Sequence, residues 1–292
     1  MDREPDAKAG LAQLKSAQIP VFYTPDKLAR GLQSRLAYHT WRERRLRDGF
    51  ATAPSRTPPQ DEAIAQALGL GRRTLSESES KQLLSAWGVP SAREHRATSA
   101  ETAVEAARQL GLPVALKVDS PDVPHKTEAG AIRLNLDDAA RVRAAYAEVM
   151  ACAKAYAPQA RITGVSVQEM VGQGVEVIIG VSYDPQLGPV LLFGSGGVMV
   201  EVYNDVALRR CPITRSEAQA MIAEVKGARL LQGFRGGPQA DVEALADSLV
   251  CVSHLAMHLE GRLAELDINP LMVLPAGRGV KALDALIVFR GT

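Results

Sequence analysis

The chain has 292 residues, of which 46% are hydrophobic and 23% charged, and its formal net charge is +1. This composition indicates an ordinary globular protein rather than a disordered one. The small net charge disfavours a dedicated nucleic-acid binder, because such proteins neutralise many phosphates with basic residues. The three cysteines lie far apart, and neither an apolar leader nor a run of about 20 apolar residues is present, so we expect a reduced, cytoplasmic protein.

The first sixty residues differ in pattern from the rest. Residues Pro25–Trp41 are predicted to form an amphipathic helix, preceded by the short extended run Ile19–Phe22. The stretch Ala51–Gln60 is rich in proline, which neither extends a helix nor pairs inside a sheet. The sequence therefore predicts an N-terminal segment (1–50), a linker (51–72) and a main domain (73–292).

Helix and strand signals alternate through the main domain, which predicts an α/β or α+β fold. The capping box Ser76–Glu79 predicts one helix, and a second box, Thr98–Glu101, predicts another that ends at Gly111. A further helix is predicted over Asp137–Met150 from its apolar face. Apolar runs between Arg161 and Phe193 predict strands, which we expect to build the second half of a cleft.

A single lysine, Lys117, interrupts the apolar strand predicted over Leu112–Val118. A buried ammonium is costly unless it meets an anion, so a phosphate is the expected partner, and the alternative is an edge lysine that reaches water. The polar loop after this strand contains His125 and Lys126. A neutral imidazole is a good nucleophile towards phosphorus near neutral pH, which makes His125 a candidate phosphoryl carrier.

Near the C-terminus, Asn269 precedes Asp284 by fifteen positions. Two short strands joined by the turn Pro275–Gly279 would bring one amide and one carboxylate oxygen side by side. Oxygen ligands of this kind suit Mg²⁺, which leaves its other positions to water and phosphate. The alternative is an acidic turn exposed to solvent.

These motifs, in this order, resemble the ATP-grasp domain of the NDP-forming (ADP-forming) acyl-CoA synthetases, in the succinyl-CoA synthetase superfamily. Residues Pro121–Lys126 match the family's Pro-x-x-x-His-Lys pattern, and Gln168–Val171 resembles its adenine hinge. The resemblance implies a two-lobed ATP-grasp fold, with lobes at about 90–165 and 166–292, behind a short helical extension that resembles the end of a CoA-ligase domain. It also implies ATP or ADP and Mg²⁺ as cofactors. CoA would bind a partner subunit or domain that carries a second phosphohistidine, with no nucleic-acid or membrane partner.

The resemblance also implies roles for individual residues. His125 would carry the phosphoryl group, Arg209 would neutralise its charge, Lys117 would steady the ATP phosphates and Glu176 would bind ribose. The other implied positions are Glu169, Val171, Gly196 and Gly197 for the nucleotide, and Asn269 and Asp284, with Asp267 alongside, for Mg²⁺. For Arg209 a surface charge, and for Glu169 an exposed hairpin glutamate, are equally open.

The reaction implied by the resemblance joins a carboxylic acid to CoA at the expense of ATP, and releases ADP and phosphate through phosphohistidine. Two alternatives stay open. One is an independent ATP-grasp ligase of the carboxylate–amine type. The other is a non-catalytic regulatory or interaction subunit that binds nucleotide.

Overall fold

The structure is a computed structural model that describes residues 4–49, 51–123, 126–196, 205–233 and 236–291. It divides into two compact units, Met1–Phe50 and Ala51–Thr292. The first unit contains helices α1 (Glu4–Ser16) and α2 (Pro25–Asp48), which confirms a helical N-terminal extension. Pro25 suits the first position of α2, because a proline there removes no helical hydrogen bond. Within the described residues, no helix is long and apolar enough to cross a bilayer.

Helix α3 (Pro58–Gly69) corrects the linker predicted over 51–72. Its two prolines lie in the first turn, where backbone N–H groups have no helical partner to lose. Ile64 and Ala67 of α3 are buried in the core of the second unit. The proline-rich pattern therefore marks the start of a packed helix, and the linker is shorter than predicted.

The first lobe of the second unit is a four-stranded antiparallel sheet covered by two helices. Its strand order is β1-β4-β2-β3, with Val104, Leu116, Val142 and Val167 in its core. The strands are β1 (Glu94–Ala97), β2 (Val114–Asp119), β3 (Ile132–Leu136) and β4 (Gly164–Glu169), and the helices are α5 (Ala100–Leu110) and α6 (Ala139–Tyr156).

The second lobe contains a six-stranded antiparallel sheet with strand order β10-β8-β5-β6-β7, in which β9 also pairs with β8. The strands are β5 (Val175–Asp184), β6 (Gly188–Ser195), β7 (Val206–Arg210), β8 (Leu263–Val273), β9 (Val280–Ala282) and β10 (Ala285–Phe289). The helices are α4 (Glu77–Ala86), α7 (Arg215–Glu224), α8 (Ala228–Leu231) and α9 (Val242–His258). Leu84 and Trp87 in and after α4 pack in this core with Val252 and Ile268.

The positions of strand β4 and helix α4 correct the predicted boundary between the lobes. Strand β4, which the prediction divides between the lobes, pairs antiparallel with β1 and β2 and so completes the first sheet. Helix α4 precedes the first sheet in sequence but packs against β10 and α3. The second unit thus starts in the second lobe, forms the first lobe from β1 to β4, and then returns to the second lobe.

The helix starts follow local capping. Ser76 caps α4 as predicted, and its backbone N–H donates to Glu79 Oε2 at 2.7 Å. Helix α5 begins one residue later than predicted, because Ser99 has the extended backbone of a cap and accepts from the Thr102 N–H at 3.2 Å. Its predicted end is confirmed at Gly111, whose φ of 90° favours glycine.

Candidate active site

Three lysine side chains converge on one glutamate carboxylate between the two sheets. Glu77, the first residue of α4, accepts hydrogen bonds at Oε1 from Lys81 Nζ (2.5 Å) and Lys117 Nζ (3.0 Å). Lys126 Nζ lies 2.8 Å from Oε2 of the same carboxylate. All four side chains are buried. The anion expected beside Lys117 is therefore present within the chain itself, and the edge-lysine alternative is wrong.

The charges in this cluster stabilise one another. Burial by itself raises the pKa of Glu77, but Lys117, Lys81 and Lys126 outweigh it and hold that pKa far below its usual range. Burial lowers the pKa of Lys81 and Lys126, and the Glu77 carboxylate is the main charge that raises each pKa above its usual value. These shifts keep Glu77, Lys81 and Lys126 ionised at neutral pH.

The cluster also joins the first lobe to the second. Lys117 Nζ donates to the Leu283 carbonyl at 2.8 Å, and Lys126 Nζ lies 3.6 Å from Asp284 Oδ1. Leu283 and Asp284 lie between β9 and β10 in the second lobe, whereas Lys117 is in β2. The predicted phosphate-binding lysine and the predicted Mg²⁺ ligand Asp284 thus belong to one contiguous site.

The C-terminal hairpin has the predicted turn, and its backbone brings Asn269 next to Asp284. The Asn269 N–H donates to the Asp284 carbonyl at 3.2 Å, and Leu274 bonds to Gly279 across the turn. Burial, together with the charges of Glu265 and Asp284, raises the pKa of Asp267 to about 6. Burial also raises the pKa of Asp284. Carboxylates that repel each other in this way are stabilised by a divalent cation.

The side chains at this site fit Mg²⁺ only if an amide oxygen, carboxylate oxygens, and oxygens from water and phosphate act together as ligands. Among the described residues, no three His, Cys, Asp or Glu side chains are grouped so as to hold a metal ion. Asn269 adds an amide oxygen to the carboxylates of Asp267 and Asp284, and Mg²⁺ commonly completes its shell with water and phosphate oxygens. The residues present therefore fit a nucleotide-bound Mg²⁺ better than an all-protein cage.

Glu169 is buried and fully engaged, so the exposed-hairpin alternative is wrong. Its carboxylate accepts from Arg93 N and Arg93 Nε, each at 2.9 Å, and Lys281 Nζ contacts the same group. The carboxylate, on β4, therefore joins the residue before β1 to Lys281 of β9. Val171 follows as a half-buried loop residue, and its backbone has no hydrogen-bond partner in the described part of the chain. An adenine edge would meet this backbone rather than the Glu169 side chain.

Substitution Glu169→Gln is expected to lower the free energy of unfolding by about 2 kcal/mol at neutral pH, because charge-assisted bonds to Arg93 and Lys281 are lost. Burial raises the pKa of Glu169, but Lys281 and Arg93 outweigh it and hold that pKa below its usual 4.5. A lowered pKa contributes stability above pH 4.5, and this contribution is lost as the pH falls through the folded-state pKa. Urea unfolding across this range should show the wild-type advantage shrinking in acid.

The matched control for this prediction is Glu101→Gln, which removes an exposed ion pair with Arg143. Exposed pairs contribute little, so Glu101→Gln should leave stability almost unchanged. An equal loss in both variants, or a Glu169→Gln effect that does not depend on pH, would contradict the assignment.

Glu176 and Asp267 lie on the same face of the second sheet. Their neighbours Val177 and Leu266 are buried in the core under the helices, and successive residues of a strand point to opposite faces. Glu176 and Asp267 therefore point to the face that α7 and α9 leave uncovered. Glu176 is exposed on β5, as a ribose-binding residue must be.

Gly196 lies close to the backbone of Glu176, whereas the prediction was that it binds the nucleotide. Its N–H donates to the Glu176 carbonyl at 2.9 Å, so it is not free to bind a phosphate. A Cβ at Gly196 would lie 2.6 Å from Glu176 backbone atoms, which explains why a glycine is needed. Both residues line a cavity of about 510 Å³ together with Leu230 and Pro238. The predicted positions Gly197 and His125 lie outside the described residues.

Arg209 is not brought to this face. It pairs with Leu191, which pairs with Val181, and both apolar side chains are buried in the core. Residues directly opposite each other in a sheet share a face, so Arg209 points to the helix-covered side. There its Nη2 donates to Glu224 Oε2 of α7 at 2.6 Å. The alternative reading of Arg209 as a surface charge is the one that the geometry supports.

Comparison with known proteins identifies the family. The profile of the ATP-grasp domain matches residues 66–289. The chain belongs to the ATP-grasp family. The beta subunit of acetate–CoA ligase [ADP-forming] II from Pyrococcus furiosus is 40% identical over 228 residues, which cover 78% of this chain and 97% of that protein. This ATP-grasp chain therefore belongs among the ADP-forming acid–CoA ligases, which confirms the resemblance.

Two further relatives extend the comparison to a longer protein and to a solved structure. Acetate–CoA ligase [ADP-forming] I of Archaeoglobus fulgidus is 38% identical over 270 residues, covering 91% of this chain but 38% of that protein. A solved structure of the dinucleotide-forming acetyl-coenzyme A synthetase 1 of Ca. Korarchaeum cryptofilum, in complex with coenzyme A, Ca-AMPCP and HgCl⁺, has a TM-score of 0.75. It is 40% identical and covers 79% of this chain and 100% of that one. The ATP-grasp fold is thereby confirmed.

Sequence reasoning overlooked Glu77 and Lys81 as members of the ATP-grasp site. Glu77 entered the sequence analysis only as part of a capping box. The available signal was the spacing: Glu77, Lys81 and Leu84 recur at intervals of four and three residues, so they share one face of α4. An apolar residue such as Leu84 marks that face as the inward one, and a Glu–Lys pair on an inward face indicates a buried charge site.

Proposed function

We propose that this chain is the nucleotide-binding, phosphoryl-transferring part of an ADP-forming acid–CoA ligase. The complete reaction joins a carboxylic acid, CoA and ATP to give acyl-CoA, ADP and phosphate. One observation supports this most directly: Lys126 Nζ lies 3.6 Å from Asp284 Oδ1, with Lys117 bonded to the adjoining Leu283 carbonyl. Cations suited to phosphate thus adjoin oxygen ligands suited to Mg²⁺.

In this proposal, Lys117 and Lys126 bind the phosphates of ATP, and Asn269 and Asp284, with Asp267, hold Mg²⁺. When bound, Mg²⁺ neutralises charge on the β- and γ-phosphates. Glu176 binds the ribose from the uncovered face of the sheet, and the backbone around Val171 meets the adenine. Arg209 has no role, because it lies on the other face. The protein's contribution is mainly positioning and charge neutralisation.

His125 is proposed to carry the phosphoryl group. An imidazole nitrogen forms a bond to the γ-phosphorus as the bond from that phosphorus to the β–γ bridging oxygen breaks, and ADP leaves. The imidazole loses its N–H proton to solvent, so atoms and charge balance. The reverse step regenerates ATP from ADP and phosphohistidine.

CoA and the acid are proposed to bind a partner subunit or domain with a second phosphohistidine. The chain spans 97% of a relative described as a beta subunit, but 38% of a longer relative described as acetate–CoA ligase [ADP-forming] I. In one related structure, with coenzyme A and Mg-AMPPCP, the phosphohistidine segment points towards the nucleotide site. Residues 1–50 are proposed to correspond to the end of a CoA-ligase domain. A cytoplasmic location stays a prediction.

Calorimetry with ATP and Mg²⁺, followed by incubation with γ-labelled ATP and the partner subunit of a related ligase, tests the function. We expect ATP binding and protein-bound label that is labile in acid and stable in base. Binding without label would favour the regulatory subunit, and ATP consumption with an amine acceptor but without CoA would favour the carboxylate–amine ligase. A chain that binds no ATP would overturn the proposal.

A further inference from the structure

We propose that Glu77 is a positioning residue that gathers Lys117 and Lys126 into one phosphate-binding group and fixes it beside Asp284. This inference rests on the proposed function, because it assigns Glu77 a role in binding the phosphates of ATP. Glu77 itself has no expected contact with nucleotide. It acts through the two lysines, and four observations support it.

The first observation is that both oxygens of the Glu77 carboxylate contact lysines. Oε1 accepts from Lys81 and Lys117 at 2.5 and 3.0 Å, and Oε2 lies 2.8 Å from Lys126 Nζ. One carboxylate therefore determines where both ammonium groups lie.

Among the described residues, Glu77 is the carboxylate in ion-pair contact with Lys117, and Glu77 and Asp284 are those in contact with Lys126. Lys81 differs, because it also donates to Glu94 Oε2 at 2.9 Å and to Gln168 Oε1 at 2.8 Å. Loss of the Glu77 charge would therefore affect Lys117 and Lys126 more than Lys81.

The second observation is the bonding capacity left on Lys117. An ammonium group has three N–H donors. Two are used, by Glu77 Oε1 and by the Leu283 carbonyl at 2.8 Å. The two acceptors come from different elements and fix the direction of the third N–H. That donor is the one available to a phosphate oxygen.

The third observation is the rigid support of Glu77. It is the first residue of α4, which begins with the Ser76–Glu79 capping box, and Leu83 and Leu84 anchor this helix in the core of the second lobe. Lys117 is in the sheet of the first lobe. Glu77 is thus held by the second lobe and fixes the position of Lys117, which belongs to the first lobe.

The fourth observation is the balance of charge. Three ammonium groups, from Lys81, Lys117 and Lys126, converge on a carboxylate that is only 7% exposed. Like charges at such short range repel strongly where water is excluded. With a neutral side chain at position 77, Lys117 and Lys126 would move apart and no longer present a single phosphate-binding group.

The test compares the dissociation constants of ATP and adenosine for wild type and Glu77→Gln, with Mg²⁺ present. We expect the ATP constant to rise by about tenfold or more, while the adenosine constant stays within about twofold. The ATP-to-adenosine ratio isolates the phosphates, and a purely structural role for Glu77 would not change it. Glu77→Asp keeps the charge on a shorter side chain, so it should recover part of the ATP affinity.

The matched control is Glu94→Gln, which removes a carboxylate that contacts Lys81 but neither Lys117 nor Lys126. It should leave the affinity for ATP within about twofold of wild type. Unchanged or stronger ATP binding by Glu77→Gln, or equal weakening of ATP and adenosine, would overturn the inference. If Glu77→Gln does not fold, ATP and adenosine binding are compared for Glu77→Asp instead. ATP binding by Glu77→Asp as tight as in wild type would then overturn the inference. Wild type that binds adenosine but not ATP overturns the proposed function as well.

Discussion

Substitution His125→Ala is expected to reduce phosphoryl transfer from γ-labelled ATP to the chain by about 10⁴-fold or more, as for loss of a covalent nucleophile. Acyl-CoA synthesis with the partner subunit should fall to the same extent, because the relay between the nucleotide and the second phosphohistidine is interrupted. ATP affinity should change little, since binding depends on the lysines and Mg²⁺. Single-turnover labelling measures the first quantity and calorimetry the last.

His95→Ala is the matched control for His125→Ala. His95 is an exposed histidine on β1 of the first lobe, opposite Val167. The control should retain wild-type labelling. Acid-labile phosphate that persists in His125→Ala would show that another residue accepts the phosphoryl group. Loss of label in both variants would point to a general defect of the first lobe.

Substitution Asp284→Asn is expected to remove most of the effect of Mg²⁺ on ATP affinity, because a carboxylate ligand becomes a neutral amide. In the absence of Mg²⁺, the variant should bind ATP as well as wild type or better. The reason is that Lys126, 3.6 Å from Asp284 Oδ1, loses a carboxylate that competes with the phosphates. Titration of ATP at increasing Mg²⁺ should show the Mg²⁺ requirement raised by about tenfold or more.

Glu265→Gln provides the matched control for Asp284→Asn. Glu265 is an exposed carboxylate on β8, two residues before Asp267, and its charge contributes to the raised pKa of Asp267. It is not among the proposed ligands, so its loss should alter the Mg²⁺ dependence by no more than about twofold. Equal effects of the two substitutions would mean that Mg²⁺ responds to the general negative potential rather than to Asp284 as a ligand.

The local features of this fold were accessible from sequence. Ser76 caps α4 and Gly111 ends α5, because both depend on residues a few positions away. The hairpin that brings Asn269 next to Asp284 was also predicted, since a short turn between strands leaves few registers. The observed hydrogen bond joins their backbones, whereas the prediction concerned their side-chain oxygens. The start of α5 was one residue off, where adjacent Thr98 and Ser99 both qualify as caps.

The predictions that failed depended on distant contacts. Arg209 faces Glu224 because β7 pairs with β6 in one particular register, and a shift of one residue would reverse its face. The linker prediction failed because burial of Ile64 depends on a core built from other segments. The Gly196 N–H has a backbone partner, the Glu176 carbonyl, that only the pairing of β5 with β6 brings near.

The sequence by itself determined the family, the alternation of helix and strand, and the residue types of the candidate site, because these depend on order and short spacing along the chain. Only the tertiary structure decided which groups meet. Lys117 and Glu77 are 40 positions apart, and Lys117 and Leu283 are 166 apart. A buried lysine requires an anion, but this requirement alone does not identify the partner. The folded chain supplies Glu77 through the packing of α4 in the second lobe.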